Sequence, residues 1–126
     1  MAVAIKDLSV LGWDVFSQCR RDLSCDLCIK ERGSREAFSV EVKRSESCRS
    51  GSYNFGNNSR TTGKGRGRRG GLNFKEFDWF FASIGTETET YQSFFIPAEV
   101  VGSRTLLNMS ADWKKSPLYE YAILAS

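Results

Sequence analysis

The stretch that decides the fold is AFSVEVK, residues 37–43, read together with LSCDLCI, residues 23–29. In the first, Phe38, Val40 and Val42 alternate with Ser39, Glu41 and Lys43, the two-residue period of a strand with one buried face. Glu41 and Lys43 therefore point the same way, about 6 to 7 Å apart at Cα. In the second, Leu23, Cys25, Leu27 and Ile29 form the apolar set, and Asp26 falls on the opposite face with Ser24 and Cys28. Residues 30–36, KERGSRE, join the two runs and suit a hairpin with an extended loop. Paired antiparallel, the strands bring Asp26, Glu41 and Lys43 onto one face, two carboxylates and an ammonium. An aspartate set between Leu23 and Ile29 is costly to keep ionised among apolar neighbours, and a bound cation removes that cost.

Working outward, residues 2–11, AVAIKDLSVL, place Ala4, Ile5, Leu8 and Leu11 on one helical face, and Gly12 stops the helix. WDVF, residues 13–16, reads as a first strand. Downstream, the run 72–84, LNFKEFDWFFASI, opens with a turn and becomes a largely apolar strand over 78–84. GTETET is a polar turn, and YQSFFI, residues 91–96, returns as another strand that Pro97 ends. Residues 98–101 begin a short helical turn, 110–115 form a turn region, and 118–124 a closing helix whose Leu118, Tyr121 and Ala122 cover the sheet. Aromatic-rich strands of this kind are covered on both faces. The expected architecture is α/β (α+β), a central mixed β-sheet flanked by helices in one domain spanning 1–126.

Composition changes abruptly at about 44–71, where Ser, Gly, Asn, Thr and Arg dominate, and the segment reads as a flexible basic loop. Arg60, Lys64, Arg66, Arg68, Arg69 and Lys75 fall in a window with no acidic residue, interleaved with Gly63, Gly65, Gly67, Gly70 and Gly71. Such a loop suits a nucleic-acid backbone, because each cation can replace a condensed counterion without a fixed shape. Arg60, Lys64, Arg66, Arg68 and Arg69 are the candidate nucleic-acid contacts, and Tyr53 and Phe55 are candidate stacking residues. GKGRG lacks the spacing of a Walker phosphate loop.

The chain has no histidine, which excludes Ser-His-Asp and Cys-His nucleophile systems, HNH-type metal fingers, histidine zinc proteases and histidine ribonuclease chemistry. Chemistry must come from carboxylates, lysine, cysteine or a metal. Of the four cysteines, Cys25 and Cys28 form a C-x-x-C, but within a strand-like run their sulfurs point to opposite sides, unlike a zinc knuckle on a tight turn. Cys25 is expected to pack as a small hydrophobe. No apolar run approaches a membrane span, and no export signal is evident, so the expectation is a soluble, cytoplasmic protein without a membrane partner.

Asp26 followed by E-V-K at 41–43 resembles the active-site signature of the PD-(D/E)XK nuclease superfamily. The order helix, GWDVF, Asp strand, E-x-K strand, loop, FDWFFA and FFIPAEV is similar to its small resolvase-like and homing-endonuclease-like members. The resemblance implies a restriction-endonuclease-like fold and a divalent-metal-dependent nuclease that hydrolyses DNA phosphodiester bonds. Asp26, Glu41 and the backbone carbonyl of Val42 would hold Mg²⁺ or Mn²⁺, and Lys43 would orient the attacking water and stabilise charge on the phosphate. Cleavage would leave a 3′ hydroxyl and a 5′ phosphate, and by analogy two copies would pair as a homodimer. In that family the first helix often carries a metal-holding glutamate, whereas here it carries Asp7 and no glutamate precedes Glu31. That departure, with the basic loop, motivates an alternative: a non-catalytic nucleic-acid-binding module on the same fold.

Overall fold

The alternation at 37–43 is realised as the central strand of a five-stranded sheet in the computed structural model of the chain, which describes residues 2–16, 27–46, 51–56, 77–86, 88–102 and 106–124. The sheet comprises β1 (Trp13–Phe16), β2 (Leu27–Glu31), β3 (Phe38–Ser45), β5 (Trp79–Gly85) and β6 (Thr90–Pro97), in the order β1-β2-β3-β5-β6. Its neighbours are antiparallel except for β3 and β5, which are parallel, so the sheet is mixed as expected. Two further strands, β4 (Ser52–Gly56) and β7 (Leu106–Ser110), form an antiparallel ribbon. Helix α1 (Ala2–Val10) precedes the sheet, and the short helix α2 (Ala98–Val101) follows β6 directly.

The β2–β3 hairpin has the predicted antiparallel sense, with Leu27 opposite Val40, Cys28 opposite Ser39 and Ile29 opposite Phe38. Its connection begins with a turn in which the Ser34 amide donates to the Glu31 carbonyl at 2.9 Å. The pleat then sorts side chains between two cores. On one face Leu27, Ile29, Val40 and Phe81 pack beneath Ala4 and Leu8 of α1. On the other, Phe80, Ala82, Ile84, Phe94 and Ile96 pack beneath Phe55 and Met109 of the ribbon, with Val101 and Leu118 alongside. Each fully buried Phe or Leu contributes about 1.5–3 kcal/mol by leaving water, which fixes the register of both faces.

Several expectations need correction. Ala4 and Leu8 are buried, but Ile5 and Leu11 of the expected apolar face are exposed, because so short a helix rests on the sheet along a narrow stripe. The region read as a loop over 44–71 contains the end of β3 and all of β4. Phe55 is 1% exposed and stacks edge-on against Phe80 at 6.5 Å, so it is a core residue with no face free for a base. Tyr53 is half-buried, edge-on to Trp113. The expected closing helix is a 3-10 segment, Pro117–Tyr121, opened by a Ser116 hydroxyl that accepts from the Leu118 amide. After Tyr121 the chain extends, Ala122 bridges to Phe94, and the Ile123 amide donates to the Ser93 carbonyl at 2.9 Å. The second face of the sheet is thus covered by a β-ribbon, α2 and 3-10 segments rather than by long helices.

Two glycines are required by geometry. Gly12 ends α1 at φ 103°, its amide donating to the Ser9 carbonyl. At Gly85, where the β5–β6 register shifts, a Cβ would meet the Glu89 carbonyl oxygen and lie 2.7 Å from Thr90 Cα. Among the described residues no helix is long and apolar enough to cross a membrane.

Candidate functional site

Because Val40 and Val42 pack into the core beneath α1, Glu41 and Lys43 are directed to the opposite face of β3. In the parallel register they stand beside Phe80 and Ala82 respectively. Lys43 Nζ lies 3.4 Å from Glu41 Oε2, with side-chain exposures of 26% and 17%. A half-shielded ion pair at the flank of an apolar layer is held in place by the backbone yet still open to water, the condition for groups that must meet a charged ligand. The predicted pairing of direction between Glu41 and Lys43 therefore holds.

Asp26 lies outside the described residues, as do Arg60, Lys64, Arg66, Arg68 and Arg69. What the structure gives is their surroundings in the chain. Leu27, the residue after Asp26, pairs with Val40, the residue before Glu41. The basic run lies between Phe55, at the end of β4, and Phe77, ahead of β5, and both of these rings contact Phe80, at 6.5 and 5.8 Å. Phe80 is the register partner of Glu41. Phe55 and Phe77, the described aromatic residues on either side of the basic run in sequence, thus pack on the Glu41 face of the sheet.

A second polar device at the head of β3 escaped the sequence reading. Asp78 Oδ2 accepts from the Ser39 amide at 2.8 Å and from the Ser39 hydroxyl at 3.3 Å, while the Asp78 amide donates to the Ser39 carbonyl at 3.0 Å. The Asp78 carbonyl in turn accepts from the Ala98 amide at 3.0 Å, fastening α2. The available signal was an aspartate between Phe77 and Trp79 in an otherwise apolar run. At the other end of β3, Arg44 Nη1 donates to the Thr86 carbonyl at 2.7 Å, bracing the β5–β6 turn. Asp7, the carboxylate of the first helix, lines a groove with Thr90, Tyr91 and Ile123 on the α1 side of the sheet, away from the Glu41 face.

Glu41 offers a hard carboxylate oxygen, the class of donor that suits Mg²⁺ or Mn²⁺ rather than a thiophilic metal. Among the described residues no three Cys, Asp or Glu side chains come together as a metal-holding group.

The fold of this chain has a solved counterpart. The structure of a bacterial homing endonuclease, I-Ssp6803I, matches this chain with a TM-score of 0.58 and 24% sequence identity, over 96% of this chain and 78% of that one. At that identity the likeness is one of fold, and it agrees with the expected nuclease-like architecture. No protein-family model and no curated protein matches the chain.

Proposed function

We propose that the chain is a divalent-metal-dependent endonuclease that hydrolyses DNA phosphodiester bonds. The observation that carries the reading is the Glu41–Lys43 pair, 3.4 Å apart on the solvent-open flank of β3, beside the strand whose next upstream residue is Asp26. The fold shared with a homing endonuclease supports it. So does the packing of Phe55 and Phe77, which flank the basic run in sequence, on that face.

In this reading Asp26, Glu41 and the Val42 carbonyl hold the cation. When bound, Mg²⁺ or Mn²⁺ supplies Lewis acidity toward water and countercharge for the phosphate. Lys43 does the positioning. Its ammonium has three donors, so one can stay on Glu41 while others orient the attacking water and meet the phosphate oxygen that gains charge. Arg60, Lys64, Arg66, Arg68 and Arg69 hold the DNA backbone in register by charge, with no sequence reading required.

The experiment is a cleavage panel on plasmid, linear and four-way DNA with Mg²⁺ or Mn²⁺, run beside Asp26→Ala, Glu41→Ala and Lys43→Ala. Metal-dependent nicking or cutting that all three substitutions abolish supports the proposal. Variants that cut as well as the parent protein would sink it.

One observation favours a second reading, a non-catalytic nucleic-acid-binding module. Asp7 stands on the far side of the sheet from Glu41, so the first helix adds no carboxylate to that face. Salt-sensitive DNA binding without cleavage under any metal in the same panel would select this reading.

A further inference from the structure

Of the six large hydrophobic side chains exposed among the described residues, four line one groove: Val10, Leu11, Tyr91 and Leu124. Val10 is 77% exposed and Leu124 is 62% exposed, and the groove between α1, the start of β6 and the C-terminal segment has a volume of about 750 Å³. Apolar side chains make up the larger part of its lining, with Lys6, Asp7, Thr90, Gln92 and Ser93 as the polar remainder. It lies on the α1 side of the sheet, opposite the Glu41–Lys43 pair.

The charges on the groove say what covers it. Its charged lining residues are Lys6 and Asp7, adjacent and of opposite sign, at the middle of a helix stripe that also carries Val3 and Val10. Val3 and Val10 are seven residues apart, two turns on one face, with Lys6 and Asp7 between them. Read backwards, the stripe repeats itself with its charges exchanged. Two such helices crossing antiparallel about a two-fold axis between residues 6 and 7 set Val3 of each against Val10 of the other, and Lys6 of each against Asp7 of the other. That is the condition for an isologous contact, in which one patch must complement itself.

We propose that this groove is the interface between two copies of the chain. Tyr91 and Leu124 widen the contact on either side of the paired helices, and the exposed Val10 leaves water against the half-buried Val3 of the other copy. The interface is small, so association is expected in the roughly micromolar range. The association does not depend on the nuclease reading. Its geometry nevertheless turns both Glu41 faces outward, toward two separate DNA segments rather than the two strands of one duplex.

The test is sedimentation of the full chain without DNA, from about 1 to 500 µM, together with four variants at exposed or rim positions. The chain should interconvert between monomer and dimer. Val10→Glu should raise the dissociation constant by at least about tenfold, as should Lys6→Asp and Asp7→Lys singly. The exchange variant Lys6→Asp with Asp7→Lys should return it to within about threefold of the parent value, since each charge again meets its opposite. Circular dichroism confirms that each variant is folded. A chain that stays monomeric throughout overturns the proposal, as does a dimer indifferent to Val10→Glu, or an exchange variant no better than its single reversals.

Discussion

Asp78 and Ser39 clasp each other where β5 meets β3, the Asp78 carboxylate taking both the amide and the hydroxyl of Ser39 at 2.8 and 3.3 Å. The clasp sits one residue ahead of the first parallel pair, Val40 with Trp79. It therefore sets the register that puts Phe80 beside Glu41. Replacing Asp78 by Ala leaves two Ser39 donors without their acceptor and should lower stability by about 1–3 kcal/mol. Ser39→Ala removes only the hydroxyl and should cost less. Urea unfolding of the two variants checks the order, and equal losses would show that the amide bond contributes little.

Gly85 and Gly12 should respond differently to substitution. Gly85→Ala drives a Cβ into the Glu89–Thr90 backbone, a collision with main chain that cannot rotate away, and should cost about 2 kcal/mol or more. Gly12 has positive φ but nothing within 4 Å of the added atom. Gly12→Asn should therefore cost about 1–2 kcal/mol from backbone strain, with no collision added. Thermal midpoints of the two variants measure the contrast.

Lys43→Met separates chemistry from folding. A partly exposed ion pair contributes roughly 0–1 kcal/mol, so the variant should unfold close to the parent midpoint. On the proposed function its DNA cleavage should fall by about 100-fold or more, the usual effect of deleting a donor aimed at developing charge. Chelation by EDTA should abolish cleavage and leave the circular dichroism spectrum in place. Full activity in EDTA would remove the metal from the account.

Phe55 tests the ribbon. Packed edge-on to Phe80 and fully buried, Phe55→Ala should cost about 3–5 kcal/mol. A stacking platform for bases would behave in the opposite way, with weakened binding and unchanged stability. Chemical denaturation beside a DNA titration decides between them.

The basic segment is tested by its salt dependence. Neutralising Arg66, Arg68 and Arg69 together removes three candidate phosphate contacts, and the slope of log affinity against log salt should shrink by about 2 to 3. An unchanged slope would release the segment from any role in DNA binding.

The hairpin at the heart of the sheet was legible because it is local. Its two-residue alternation, the charged connecting loop and the polar partners Glu41 and Lys43 all lie within one stretch, and a slip of one residue would have put Val40 and Val42 on the wrong face. Helix α1, the first strand and the aromatic strands β5 and β6 were legible for the same reason. The ribbon was not. SYNFG and LLNMS carry weak alternation, and each finds its partner some fifty residues away, so neither has a local reason to be a strand. The final segment read as a helix by composition, yet Pro117 and the draw of the β6 edge on Ala122 and Ile123 shorten it to a 3-10 turn.

Residue order alone determined that Glu41 and Lys43 share a direction, since a strand's pleat allows nothing else. Tertiary structure decided what that direction faces. Burial of Val40 and Val42 under α1 turned the charged pair to the other side, the ribbon covered Phe80 next to it, and Asp7 was carried to the far face. Side-chain alternation is a property of neighbouring backbone atoms, whereas the choice of face is made by whichever distant apolar surface closes over it.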